Sequence, residues 1–389
     1  MQFIPRELTS PILRASRGFS ALILTGPRRA GKTTLLKHLF PEVSYVLLED
    51  PAIVARIRSD PHGFLDDLAL PAILDEVQNV PDLFNYVRSL IDRAPARKGK
   101  WLFTGSQEAG LMKGVTESMA GRAALFQLLP LSTSETAKVT MYRGGFPEVL
   151  ARPSLRSTWF QSYLQTYIER DVRAISSIRD LATFRRFVAL LASRCGQILS
   201  KTDLAAPLGV SVHAIGEWLN ILEITGQILL VPPFFENFGK RLIKSPRVHF
   251  VDSGLVCHLL GIESEAQLYR SPFLGPIWEG FVASEIVKQQ LNRGKAKGIH
   301  FFRDQQGLEI DFVIDRGNGK IALVECKAGR TVTPADGGPM ARLKESIRQY
   351  TVEAYVVYRP LKTGESITAV RPGVKAMGLP RLLETLAVH

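Results

Sequence analysis

Cysteine is scarce in this 389-residue chain: Cys195, Cys257 and Cys326 are far apart and form no CxxC pair. That argues against both a disulfide framework and a zinc site. No apolar stretch is long enough to span a bilayer. The opening residues, MQFIPRELTS, lack a basic segment followed by an apolar run, so no signal peptide is expected. Fixed-period repeats and low-complexity segments are also missing. The expectation is a cytoplasmic protein with no membrane partner.

What is present is ordinary globular composition, 46% hydrophobic and 22% charged. The length predicts two or three domains. The net charge of +12 favours polyanionic partners, DNA among them, through counterion release from phosphates.

Short apolar runs at Ala21–Thr25, Tyr45–Leu48, Ala72–Leu74, Trp101–Thr104 and Ala124–Leu128 read as strands. They are continuous rather than alternating, which suits strands buried on both faces. With helices between them they predict a parallel, three-layer α/β domain. Helical periodicity dominates from about Ser154 to Leu230. Near Pro276 a third pattern begins: a helix, then strands at His300–Arg303, Glu309–Ile314 and Ile321–Cys326, a helix over roughly Pro339–Tyr350, and a strand at Ala354–Tyr358.

Gly26-Pro27-Arg28-Arg29-Ala30-Gly31-Lys32-Thr33 fits G-x-x-x-x-G-K-[ST], with a strand before it and a helix after it from Thr34. The glycines let backbone N–H groups turn inward onto phosphate oxygens. Lys32 would reach the β- and γ-phosphates of ATP, and the Thr33 hydroxyl would coordinate Mg²⁺. Asp75, ending an apolar strand, is the expected second metal partner, and Glu76 the expected base for the attacking water. Ser106 or Thr104, after the next strand, could hold that water or the γ-phosphate.

Lys201 to Trp218 has helix-turn-helix spacing, with Gly209 at the turn, Ser211 as N-cap, and Ile215 and Trp218 in the core. Ile228–Val231 and Arg247–Val251 would form a winged hairpin, with Lys240, Arg241, Lys244 and Arg247 nearby. The second helix carries Glu217 and no lysine or arginine, so a structural spacer and a DNA reader remain open.

Farther on, Glu325 and Lys327 share a strand face because their spacing is two. Asp311 on the neighbouring strand would meet Glu325 around a hard cation such as Mg²⁺, with Glu279 from an upstream helix completing the shell. Lys327 would orient or help deprotonate a hydrolytic water.

Over nearly its whole length the chain resembles bacterial and archaeal AAA+-type ATPases with a C-terminal domain of the DUF4143 type. The matching blocks are GPRRAGKTT, LDEVQ, LFTGS, AGRAALFQLLPLS, GGFPEVL, YIERDV, SPRVHFVDSGL and WEGFVASEI. The resemblance implies that Ser106 is the γ-phosphate sensor and Arg122 an arginine finger, acting in a neighbouring copy of a homo-oligomer. The D…E-x-K arrangement resembles the PD-(D/E)XK nuclease superfamily, departing from it in having Ile310 rather than proline before Asp311.

The expected architecture is therefore α/β throughout: a P-loop AAA+-like domain at 1–135, a helical lid or linker at 136–198, a winged-helix-like domain at 199–260 and a restriction-nuclease-like domain at 261–389. The expected function is an ATPase driving a DNA-directed, Mg²⁺-dependent nuclease-like half. The alternative is a non-cleaving ATP switch for a protein or DNA partner.

Overall fold

A computed structural model describes residues 3–105, 118–168, 181–234, 245–347, 349–360 and 367–387. The chain enters through helix α1 (Thr9–Gly18) and then β1 (Ala21–Thr25), whose five residues are all buried. Helix α2 (Lys32–Leu39) follows the glycine-rich loop and stops at Phe40, ahead of Pro41, because proline disfavours helical backbone in the residue before it. After β2 (Ser44–Leu47) and β3 (Ala72–Asp75), helix α3 (Leu83–Arg93) leads to β4 (Trp101–Thr104) and β5 (Ala123–Gln127).

These strands form one parallel sheet in the order β2-β3-β4-β1-β5. Alternate residues feed opposite faces. Ile23, Leu74 and Phe103 pack under α3, while Leu22, Ile73 and Leu102 pack with Leu8, Ile12, Leu35 and Leu36 on the other side. This is the expected three-layer α/β domain. The expectation that every strand is buried on both faces fails at the edges. β2 alternates between half-buried and exposed positions, and β5 is only partly covered, because each has a single neighbour.

Beyond the sheet, α4 (Pro147–Ala151), α5 (Arg156–Tyr163) and α6 (Leu181–Ser193) precede a helix-turn-helix pair, α7 (Lys201–Ala205) and α8 (Val212–Ile224). Ser211 caps α8 by accepting a hydrogen bond from Ala214 N, and Gly209 takes the left-handed turn at φ +64°. β6 (Ile228–Val231) and β7 (Arg247–Phe250) form the antiparallel hairpin. After α9 (Ser253–Leu259) comes the long α10 (Leu274–Asn292), and then a six-stranded mixed sheet.

In that second sheet β8 (Ile299–Arg303), β9 (Glu309–Gly317) and β10 (Lys320–Lys327) run antiparallel. β11 (Thr351–Tyr358) lies parallel to β10, and two unanticipated strands, β12 (Thr368–Arg371) and β13 (Val374–Gly378), extend the far edge. The helix expected over Pro339–Tyr350 spans Gly338–Ser346. One hydrophobic core runs from Leu129 through the helical middle to Leu383, so the middle and C-terminal segments are packed as a continuous mass. Among the described residues no helix is long and apolar enough to cross a membrane.

Candidate functional site: a nucleotide cleft and an acidic cluster

The glycine-rich loop sits at the carboxyl end of β1. Gly26 has φ +135° and approaches the backbone so closely that a Cβ would lie 2.1 Å from Leu128 O; no other residue fits. Gly31, at φ +99°, caps α2 without a side chain, which leaves the helix N-terminus open to an anion. Lys32 is buried, and its Nζ donates to Gly26 O and Pro27 O at 3.0 Å each. The ammonium group thus holds the loop curled.

Asp75 gathers three hydroxyl donors. Thr33 Oγ1 lies 2.9 Å from Oδ2, and Tyr45 Oη donates to Oδ2 at 2.8 Å. Thr104 donates to Oδ1 and accepts from Glu76 N. Burial first, then the bond to Asp75, pushes the Tyr45 phenol well above its ordinary range. Glu76 occupies the left-handed region at φ +61°, a strained conformation for a non-glycine residue. Its carboxylate is engaged by Arg28 at 3.6 Å and by Gln78.

Together these groups line a cleft of about 460 Å³ containing Arg28, Arg29, Lys32, Thr33, Asp75 and Glu76. The size suits a small-molecule ligand. The donor set fits a nucleotide with a hard cation: a helix N-terminus free of any side-chain cap, one lysine, and a hydroxyl beside a carboxylate. The residues expected from the sequence at 26–34 and at Asp75 and Glu76 are assembled here.

Three contributors had no sequence signal. Arg6 is buried and donates to Ala30 O at 2.9 Å and Leu129 O at 2.7 Å while pairing with Glu135 at 2.9 Å, so it pins the loop from behind. Tyr45 arrives from an edge strand. Glu148, from the GGFPE block, forms the opposite wall, 3.4 Å from Arg29, and accepts from Trp159 Nε1 at 2.5 Å.

Arg122 is not brought into this cleft. It precedes β5 at the end of the sheet remote from the loop, where its carbonyl accepts from Ala21 N. Its guanidinium is clamped by Asp92 at 2.6 and 2.8 Å. Ser106 lies outside the described residues, as do Lys240, Arg241 and Lys244.

The C-terminal acids do converge. Antiparallel pairing of β9 with β10 ends at Phe312 and Val324, so Asp311 and Glu325 come next on facing positions. Glu279 reaches them from α10. The charge at their centre is Arg247, from β7: Nη1 lies 3.2 Å from Glu279 and 3.4 Å from Asp311, and Nη2 pairs with Glu309. Asp311 Oδ2 also accepts from Cys326 N at 2.8 Å. Lys327 pairs with Glu325 at 3.0 Å and with Asp336 at 3.8 Å. Among the described residues no group of three or more His, Cys, Asp or Glu side chains is arranged to hold a metal ion. The donor set expected to take Mg²⁺ does not fit a hydrated divalent cation, because a guanidinium fills the space between Glu279 and Asp311.

Burial raises the carboxyls of this cluster. Glu279 stands well above its ordinary range from burial and then the charge of Asp311. Glu325 is pushed up to about 7 by burial and then Asp311. Asp311 is raised by burial against the opposing pull of Cys326 N–H and Arg247. For Lys327 burial works downward, but the charges of Glu325, Asp311 and Asp336 and the hydrogen bond to Glu325 together raise the amine. A raised amine stays protonated, the wrong state for a base.

Three family models match successive parts of the chain. Residues 18–137 match the family described as AAA domain, 134–266 a domain of unknown function (DUF8612), and 274–380 a domain of unknown function (DUF4143). The uncharacterized protein Rv2008c of Mycobacterium tuberculosis is 33% identical over 339 residues, spanning 85% of this chain and 75% of that protein. The chain belongs to this AAA–DUF4143 family. The uncharacterized protein Mb2031c of Mycobacterium bovis matches to the same extent. A Walker-type ATPase of Pyrococcus abyssi overlaps 66% of this chain and 96% of its own, at 15% identity and a TM-score of 0.41. The fold of this AAA–DUF4143 protein is α/β, with a P-loop-type parallel sheet and a mixed C-terminal sheet, and its AAA domain supports ATP binding.

Proposed function

We propose that the protein binds ATP with Mg²⁺ in the cleft at Gly26–Thr33 and hydrolyses it, as a switch that changes how its C-terminal half engages DNA. The observation that carries this reading is the 2.9 Å contact between Thr33 and Asp75 beneath the glycine-rich loop. A hydroxyl and a carboxylate so close offer two oxygens to a hard-cation shell, which phosphate oxygens and water would complete.

In this reading Lys32 exchanges the carbonyls of Gly26 and Pro27 for β- and γ-phosphate oxygens. Bound Mg²⁺ would supply positive charge on those oxygens, held by Thr33 and Asp75. Glu76 leaves Arg28 to accept the proton of the attacking water, and the products are ADP and phosphate. Ser106 is the proposed γ-phosphate sensor. Arg122, remote from its own cleft, is proposed to serve a neighbouring copy in a homo-oligomer.

DNA is the proposed partner because of the +12 net charge and the winged-helix-like arrangement of α7, α8, β6 and β7. With no lysine or arginine on α8, phosphate contacts from basic residues outside that helix, and not base reading by it, are expected. A cytoplasmic setting accords with three free cysteines. The test is ATP hydrolysis with and without duplex DNA for the natural chain and Lys32→Ala. DNA stimulation in the natural chain and loss of turnover in the variant are expected. Hydrolysis unaffected by Lys32→Ala would remove the cleft from the account.

The other expected reading, Mg²⁺-dependent cleavage of DNA at Asp311, Glu325, Glu279 and Lys327, is not proposed, because the Arg247 guanidinium lies between Glu279 and Asp311. The position of Arg247 favours the non-cleaving switch.

A further inference from the structure

We infer that Arg247 is the resident cation of the C-terminal acidic cluster. It stands where a divalent metal would have to bind and latches the winged hairpin to the second sheet, so these acids hold no divalent cation of the kind that hydrolytic cleavage of a phosphodiester would use. The inference does not depend on the nucleotide reading, since it uses none of the cleft residues.

The argument is one of space and charge. A small divalent cation of the Mg²⁺ type needs oxygens at about 2.0–2.1 Å and keeps several waters. Here the guanidinium Nη1 lies within 3.4 Å of both Glu279 and Asp311, the two acids such a cation would have to bridge. Nη2 takes Glu309. The Arg247 side chain is 3% exposed and its guanidinium lies over the Phe301 ring, 4.8 Å from the centroid, so the chain around it is built to keep it. Glu325 Oε2 is buried with no hydrogen-bond partner, and both nitrogens of the fully buried His249 also lack one. Arg247 Nε is likewise buried without a partner, so the guanidinium is held through its two terminal nitrogens, Nη1 between Glu279 and Asp311 and Nη2 on Glu309.

The latch also explains connectivity. Arg247 opens β7, one strand of the winged hairpin, while Glu309 and Asp311 belong to β9 of the second sheet and Glu279 to α10. A single side chain therefore ties β7 of the winged hairpin to α10 and β9, a link to the hairpin that a metal bound only by the second sheet and its helix would not make.

The test uses Mn²⁺ as probe on the nucleotide-free full chain, with free ion counted by electron paramagnetic resonance. The natural chain and Asp311→Asn are expected to bind the same small amount of Mn²⁺, neither gaining thermal stability through these acids. Arg247→Ala is expected to gain one Mn²⁺ per chain, at least roughly tenfold tighter, and to lose it again when Asp311→Asn is added. Mn²⁺ binding by the natural chain that disappears in Asp311→Asn would overturn the inference. The comparison of those two proteins decides the matter even if Arg247→Ala does not fold. Lys32→Ala gives the same Mn²⁺ result as the natural chain, so failure of the nucleotide reading leaves this test intact.

Discussion

Tyr45 Oη lies 2.8 Å from Asp75 Oδ2, so an edge-strand phenol helps aim the carboxylate that faces Thr33. Tyr45→Phe keeps the ring under Lys37, whose Nζ sits 3.2 Å from its centroid, and deletes only the hydroxyl. A hydrogen bond to a charged group of this kind contributes roughly 1.5–3 kcal/mol. Urea unfolding of the nucleotide-free protein is expected to show that loss, with the transition slope unchanged.

Asp75 and Glu76 should separate in kinetics. Asp75→Asn is expected to abolish the Mg²⁺ dependence of nucleotide affinity, because a neutral amide no longer pairs with a dication. Glu76→Gln should leave ATP affinity within about threefold while lowering kcat by roughly 10²–10⁴, the usual contribution of a positioned base. Steady-state kinetics beside binding calorimetry distinguishes them. Equal losses of affinity in both variants would contradict the assignment.

These two acids were legible because their chemistry is local. A loop pattern eight residues long and an apolar strand ending in carboxylates are both read along the chain. Arg6, Tyr45, Glu148 and Arg247 were not legible in the same way. Arg6 looks like part of a basic lead-in and Arg247 like a wing residue, and only the packing of distant elements turns one onto Ala30 and the other onto Asp311. The edge strands were misjudged for a related reason. Leu125 is exposed although its run is apolar, since strand order, which sets burial, is not written in any one strand. The hairpin β12–β13 is short and carries little periodic signal.

Trp159 offers an optical report of the cleft. Its indole N–H donates to Glu148, which pairs with Arg29 in the glycine-rich loop, and its ring stacks on Tyr163 at 4.9 Å. Nucleotide that draws Arg29 toward phosphate should change Trp159 emission. The change is expected to vanish in Trp159→Phe and to shrink in Glu148→Gln, while the stability of Glu148→Gln stays within about 1 kcal/mol because the pair is half exposed.

Glu285 and Lys288 on α10 form a fully buried pair at 2.9 Å. Glu285 also accepts from Thr133 N and Oγ1 at 2.6 Å each, and Lys288 donates to Leu131 O at 3.1 Å. They join the segment after the first sheet to the C-terminal half. Lys288→Met leaves Glu285 buried without its partner, at a cost of about 3–5 kcal/mol. Chemical denaturation should show this, and Glu285→Gln in the same chain should recover part of it.

His249 sets one pH slope. Burial, then the charge of Arg247, lowers its pKa to about 3 from an ordinary 6.5. The unfolded chain therefore binds the proton first, so the stability His249 contributes is complete above about pH 6.5 and is lost as pH falls toward 3. Glu325, raised to about 7, acts in the opposite sense, favouring the fold at low pH and losing that as pH rises through 7. His249→Phe should flatten the loss between pH 6.5 and 4 relative to the natural chain, by up to about 3 kcal/mol at pH 4. Unfolding curves at matched pH measure the difference.

The most direct measurement is calorimetric titration of ATP with Mg²⁺ into the natural chain and into Lys32→Ala. The cleft account predicts saturable one-to-one binding in the natural chain and at least about a tenfold weaker affinity, roughly 1.4 kcal/mol, in the variant. Equal affinities in the two proteins would contradict it.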